Sequence, residues 1–401
     1  LISNKIFNYQ LQCNLPTSTF LCYNVFMPKK YFYRQFNETR LLYILAGMVF
    51  LVAFGLAGWF GWNFLENKMA DDAGDENINA EDSFETNRAC QFRRILDGVC
   101  VVNEKEINPK LVAVMIENHV DARPLSGLAE ASVVYEAPVE ANYTRFMAIY
   151  PVGVKADKVG PVRSVRPYYL DWLSEYGDAM YMHVGGSPEG LALAKEYKIF
   201  DLNEFYFGRY YWRASDRFAP HYIYTSSELW EKALNDYSDY YDIDEYEGWT
   251  FSTSTEQQNN RTTPTVNGDD ELAGEIKITF LTPNYIVDWK FNSSTQKYDR
   301  YQGDELQRDT SGRKIKADTI IIQRVKSLVI DEIGRKKINT IGTGEAMVFY
   351  DGQKIDGIWK KESRTNRTRF YNKNGEEIKL KPGKIWVEIV GQDGDVEIRD
   401  R

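Results

Sequence analysis

Between Leu41 and Leu65 the chain reads LLYILAGMVFLVAFGLAGWFGWNFL, an uncharged run longer than the roughly 20 residues a helix needs to cross a bilayer core. A cleaved signal peptide has an apolar core of only about 7–15 residues and a small-residue cleavage site. The run therefore reads as an uncleaved transmembrane anchor. Lys29, Lys30, Arg34 and Arg40 precede it, and Asp71, Asp72, Asp75, Glu76, Glu81, Asp82 and Glu85 follow it. The positive-inside bias places the N-terminus in the cytoplasm and the bulk of the protein outside, as a single-pass membrane protein. Met27-Pro28-Lys29-Lys30 has the form of a natural start, which makes residues 1–26 a candidate for untranslated sequence.

Beyond residue 65, composition divides the chain further. Residues 66–89 are acidic and poor in large apolar groups, as expected of a solvated stalk. Residues 252–274 are rich in Ser, Thr, Asn, Gln and Gly and read as a linker. Two globular domains are expected, over 90–250 and 275–401, with 251–274 between them. The formal net charge of -9 excludes a general nucleic-acid binder, which needs a dominant basic surface. Only Cys90 and Cys100 lie beyond the anchor, and a local disulfide is favoured over zinc because no CxxC pair or nearby histidine accompanies them.

The first domain mixes strands and helices. LVAVMI at 111–116 has the length of a buried strand, and 131–135 and 145–150 are further strand candidates. Tyr169, Trp172, Leu173 and Tyr176 follow helical spacing, with Gly177 as the stop. Ser187-Pro188-Glu189 signals a helix start, and Thr225 with Glu228 fits a capping box for another. In the second domain EIKITF, YIVDWKF, DTIIIQRV, EAMVFYDG and KIWVEIV are separated by turn pairs such as Asp351-Gly352, Asn374-Gly375 and Pro382-Gly383. The fold class is therefore α+β, a mixed α/β first domain followed by a mostly antiparallel β domain, a small sandwich or open barrel, after one transmembrane helix.

Chemistry concentrates in the first domain. His119, His183 and His221 all fall there, as does Gly160-Pro161-Val162-Arg163-Ser164-Val165-Arg166-Pro167. Arg163 and Arg166 stand at the entrance of a helix, where the macrodipole disfavours cations, so an anion should compensate. It can come from Glu117, Glu136 or Glu140, or from a ligand carboxylate or phosphate, to which the arginine fork is suited. Arg145, Arg213 and Arg217 are candidates for the same pocket. His183 ends a strand, and Gly185-Gly186-Ser187 then opens a helix, aiming bare N–H groups at one point. Ser187 reads as an N-cap rather than a nucleophile. His183 or His221 is a candidate proton carrier. No metal-ligand spacing such as HExxH occurs, and neither a metal nor another cofactor is expected. The tyrosines between Tyr206 and Tyr246 suit sugar contacts or a core.

These residues carry a resemblance. Asn108-Pro109, VAVMIEN ending at Glu117-Asn118, Ala122-Arg123-Pro124, Ser126-Gly127-Leu128, Glu136, Glu140, Thr144-Arg145, GPVRS, Arg166, His183, Gly185-Gly186, Arg217, Pro220-His221, Gly342-Thr343-Gly344 and Pro382-Gly383 make the chain similar to the YerB family of bacterial envelope proteins. Many members are lipoproteins by sequence and of unknown function. This chain lacks their lipid-attachment cysteine and carries the apolar run instead. The resemblance brings no established reaction, so the residues enter as candidate binding groups. A weaker similarity to the LytR-CpsA-Psr glycopolymer ligases, over the arginine motif, Gly-Gly-Ser-Pro-Glu and Asp216-Arg217, implies that Arg163, Arg166 and Arg217 hold a pyrophosphate. The leading expectation is a membrane-anchored protein that binds an anionic envelope ligand or wall polymer. The alternatives are a wall-polymer phosphotransferase or hydrolase, and a protein-interaction scaffold presenting aromatics such as Trp359 and Trp386.

Overall fold

Strands buried on both faces are largely apolar, as LVAVMI is throughout and TIIIQRV is at Ile320–Ile322. The computed structural model describes residues 58–59, 90–238, 246–253 and 271–400. The apolar run apart from 58–59, the stalk, and most of the linker lie outside these residues. Among the described residues, no helix is long and apolar enough to cross a membrane.

The first segment supplies β1 (Leu111–Glu117), β2 (Val133–Pro138), β3 (Thr144–Pro151), β4 (Met180–His183) and β5 (Asp201–Asn203). Its helices are α1 (Pro167–Leu173), α2 (Pro188–Glu196), α3 (Glu204–Phe207) and α4 (Ser227–Asp236). The second segment supplies β6 (Glu275–Leu281), β7 (Tyr285–Asn292), β8 (Lys297–Gln302), β9 (Thr319–Val325), β10 (Gly342–Tyr350), β11 (Gln353–Lys361), β12 (Arg369–Asn372), β13 (Ile385–Gly391) and β14 (Asp395–Arg399). Mixed α/β followed by mostly antiparallel β is thus the observed order.

The two segments do not build separate sheets. One mixed sheet runs in the order β11-β10-β9-β13-β2-β3-β1-β4-β5, with Glu271–Leu272 and β12 pairing β11. The seam is parallel: Ile385, Trp386, Val387 and Glu388 of β13 pair with Val133, Val134, Tyr135 and Glu136 of β2. A second, antiparallel sheet runs β8-β7-β6-β14, with Glu305–Leu306 and Lys316–Ala317 on β8. The second segment therefore does not close on itself as an independent sandwich or barrel. It lends β9 to β13 to the large sheet and stacks the rest on it.

Side-chain alternation explains the layers. Val112, Val114, Ile116, Phe146, Ile320, Ile322 and Trp386 point to one face and pack with Ile276, Ile278, Val287, Trp289 and Tyr298 of the second sheet. Ala113, Met115, Met147, Ile149, Ile321, Val387 and Ile389 point to the other face, against Tyr169, Leu170, Trp172 and Leu173 of α1. Trp359 and Trp386 are buried, so neither presents an aromatic surface to a partner. Tyr210, Tyr211, Tyr224 and Tyr246 are buried as well, and among the described tyrosines of that stretch only Tyr206 is widely exposed.

The caps are local chemistry. The Ser187 side chain accepts from Gly190 N and starts α2 at Pro188. α4 is capped by Ser226, which accepts from Leu229 N, rather than by Thr225. The Thr225 hydroxyl instead turns inward and donates to the Tyr210 carbonyl at 3.0 Å. Cys90 and Cys100 are joined as a disulfide that staples the pair Phe92–Arg93 and Cys100–Val101.

Candidate functional site

β1 and β4 run parallel through Val112–Val114 and Met180–Met182, and beyond these residues they part. The Gly160–Arg166 motif threads between their carboxyl ends. Pro161 O accepts from Glu117 N, Arg163 N donates to Met115 O, and Arg163 O accepts from Val184 N. In an open sheet such a crevice beyond the strand ends is where ligands bind. The backbone thus places Arg163 and Arg166 beside Glu117 and Arg145, which are opposite one another across β1 and β3.

Two carboxylates serve this cluster. Glu117, 6 % exposed, faces Arg163 Nε at 2.9 Å with one oxygen and His221 Nδ1 at 2.8 Å with the other. The Arg163 contact is an ion pair whose N–H is not aimed for a hydrogen bond, leaving a buried donor without an acceptor among the described residues. Glu140 takes Arg166 Nε at 2.5 Å and lies 3.8 Å from Arg145 NH2. Burial works to raise the Glu140 pKa, yet the Arg166 hydrogen bond and the charges of Arg166 and Arg145 together hold it below its ordinary value. Arg145 is largely buried, its side chain 12 % exposed, and donates to Ser164 O at 3.0 Å. Burial first, then the like charge of Arg166, with Arg163 adding to it, pulls its guanidinium down to about 10. Three guanidinium groups share two carboxylates, and the cluster carries surplus positive charge.

The opposite face of the same strand ends holds a second network. Asn118 Nδ2 donates to Thr144 Oγ1 at 2.7 Å, and Thr144 donates to Glu136 Oε1 at 2.6 Å. Arg123 donates to both the side chain and the carbonyl of Asn118 and stacks over Tyr285 of the second sheet, 4.9 Å from its centroid. Glu136 is paired with the buried Arg300 of β8. Beside it, Glu388 accepts from Trp289 Nε1 at 2.8 Å, while its Oε2 meets no donor among the described residues. Burial, then the neighbouring charge of Glu136, pushes the Glu388 carboxyl well above its ordinary range. As a neutral acid it can donate to Glu136, which makes this a clasp between sheets rather than an open pocket.

Other expected members are elsewhere. Arg217 does not join the arginine cluster; it donates to Ala122 O at 2.7 Å and Pro124 O at 2.9 Å, holding the turn that carries Arg123. Arg213 pairs with Glu204 at 2.7 Å. His183 is buried, with Nε2 2.7 Å from Asp201 Oδ1 and Nδ1 2.8 Å from Gly185 O. Both ring nitrogens face protein oxygens, so the ring braces Gly185 against Asp201. Gly185 and Gly186 do not offer the expected bare N–H cradle. Gly185, at φ +56, donates its N–H to Asn203 Oδ1, and a Cβ on Gly186 would stand 2.5 Å from Val165 Cγ1. The glycines allow close packing on Phe205 and Val165.

The model of the family described as Protein of unknown function (DUF3048) N-terminal domain matches residues 96–240, and that of the DUF3048 C-terminal domain matches 276–387. The chain belongs to the DUF3048 family. It is 29% identical over 291 residues to the Bacillus subtilis (strain 168) protein named Putative lipoprotein YerB, covering 72% of this chain and 83% of that one. The crystal structure of YerB protein from Bacillus subtilis matches with a TM-score of 0.65 at 26% identity, covering 77% of this chain and 100% of that one. The DUF3048 N-terminal match contains every arginine of the crevice and all three histidines, whereas Tyr285, Trp289 and Arg300 come from the C-terminal match. DUF3048 segments are thus two in sequence, but here they share one sheet and one polar clasp.

Proposed function

We propose that the protein works at the cell envelope and binds an anionic ligand, phosphate- or pyrophosphate-bearing, in the crevice lined by Arg145, Arg163 and Arg166. The observation that carries this reading is the charge imbalance: three guanidinium groups against Glu117 and Glu140, with the buried Arg163 Nε–H making no hydrogen bond among the described residues. Desolvated cations hold their charge at a cost, and an oxyanion with several acceptor oxygens relieves it through charge-assisted hydrogen bonds. Location at the envelope is supported by the relative named as a lipoprotein, by the Cys90–Cys100 disulfide, and by the apolar run at 41–65.

The test is a thermal-shift and direct-binding panel on the full chain in detergent with inorganic pyrophosphate, teichoic-acid fragments, polyprenyl-pyrophosphate analogues and muropeptides. Stabilisation by the phosphorylated members, weakened by added salt and lost in Arg163→Gln, is expected. Equal indifference to every member would overturn the reading.

A further inference from the structure

His119 follows β1, and His221 comes from the loop before the short strand Ile223–Tyr224. Their rings stack with centroids 5.1 Å apart and planes 17° apart. The Asp121 carboxylate lies 3.5 Å from His119 Nδ1, and one ligand atom from each of His119, Asp121 and His221 lies within 4.8 Å of the others. We propose that these three side chains hold a divalent transition-metal ion, zinc being the best fit to their chemistry.

Two imidazoles and a carboxylate form a donor set of the kind zinc takes in open sites. Tetrahedral zinc with bonds of about 2.1 Å sets its ligand atoms about 3.4 Å apart, close to the His119–Asp121 spacing of 3.5 Å. The remaining separation closes by side-chain rotation, because Asp121 is 75 % exposed and His119 34 %. His119 Nδ1 accepts from Asp121 N at 3.3 Å, a weak contact that a metal can replace.

His221 carries the stronger argument. Its Nδ1 is 2.8 Å from the buried Glu117 carboxylate, which can only accept when ionised, so Nδ1 holds the proton. Nε2, on the far side of the ring, has no hydrogen-bond partner among the described residues and is the nitrogen a metal would take. A carboxylate behind a histidine is the outer-shell arrangement that orients a metal ligand and raises its basicity. Three protein ligands leave a fourth position open.

The test uses chelator-treated full chain dialysed against Zn²⁺. One zinc per chain is expected, with a thermal midpoint that rises with zinc, and at least a tenfold loss of affinity in Asp121→Asn and in His119→Gln. Asp121 is exposed, so its variant reports on the site without disturbing the core. No bound zinc, or zinc retained unchanged in both variants, would overturn the proposal and leave a simple aromatic stack with Tyr143. Pyrophosphate titration of Asp121→Asn without metal reads the arginine site separately, so either idea can fail without the other.

Discussion

Glu117 and His221 lie far apart in sequence and meet at 2.8 Å, the buried carboxylate accepting from the imidazole Nδ1. Because the other Glu117 oxygen neutralises Arg163, one side chain sets both the charge of the arginine crevice and the tautomer of the histidine.

Glu117→Gln is therefore expected to be costly. It removes the negative charge facing a partly buried cation, and breaking such pairs by neutralising one member costs on the order of 1–3 kcal/mol. Urea denaturation should show a lowered midpoint with an unchanged slope. An unchanged midpoint would mean that solvent replaces the carboxylate at no cost.

The clasp between the sheets makes a pH prediction. In the folded state burial and the Glu136 charge raise the Glu388 pKa above its ordinary 4.5. Between that value and the raised one the folded chain binds more protons than the unfolded chain, so stability falls as pH rises through this window. Glu388→Gln keeps the acceptor for Trp289 and cannot titrate. Its stability advantage over the native chain should grow as pH rises above 4.5, read by denaturant midpoints across the range. A constant difference would place the Glu388 carboxyl in an ordinary environment.

The shared sheet makes a prediction about fragments. Cutting between the DUF3048 halves strips β13 from β2, opens the strand edge at Val133–Glu136 and parts Trp386 from Phe146. Burial of each large apolar side chain is worth about 1.5–3 kcal/mol. Residues 90–250 and 275–400 expressed separately should each fail to show cooperative unfolding, and mixing should restore it. Two independently cooperative fragments would contradict the single-sheet description.

The Cys90–Cys100 bridge closes a short loop at the entry to the folded region. Loop-closure arguments give about 3 kcal/mol for a loop of this size, and local fraying lowers the share that reaches the global transition. Reduction, or Cys90→Ser with Cys100→Ser, should lower the thermal midpoint by several degrees. No shift would make the hairpin energetically separate from the rest.

Much of this architecture was legible in sequence because it follows local rules. The strands of 111–116, 144–151 and 385–391 are visible as apolar runs, and the Ser187 cap as Ser-Pro-Glu. The pairing of Arg163 and Arg166 with Glu117 and Glu140 was among the options that charge alone suggests. What local rules do not contain is partner choice. Nothing in the periodicity of KIWVEIV says that it lies parallel to VVYEAP, and this pairing turns two sequence segments into one sheet. Thr225 and Ser226 are adjacent hydroxyls, and only the inward Tyr210 carbonyl decides which one caps the helix. The His119–Asp121–His221 cluster had no spacing signal because His221 is brought to it by the loop ahead of Ile223. His183 and Arg217 carry no local signal of their partners, which are Asp201 and Gly185 for the histidine and the Ala122 and Pro124 carbonyls for the arginine.

The central claim is that the arginine crevice is an anion site. Calorimetric titration of the full chain with inorganic pyrophosphate, at two salt concentrations, tests it against Arg163→Gln and Arg166→Gln. Saturable binding that weakens with salt and falls about tenfold or more in each variant is the predicted result, a charge-assisted contact being worth about 1.5–3 kcal/mol. No binding by the native chain, or equal affinity in all three proteins, would contradict it.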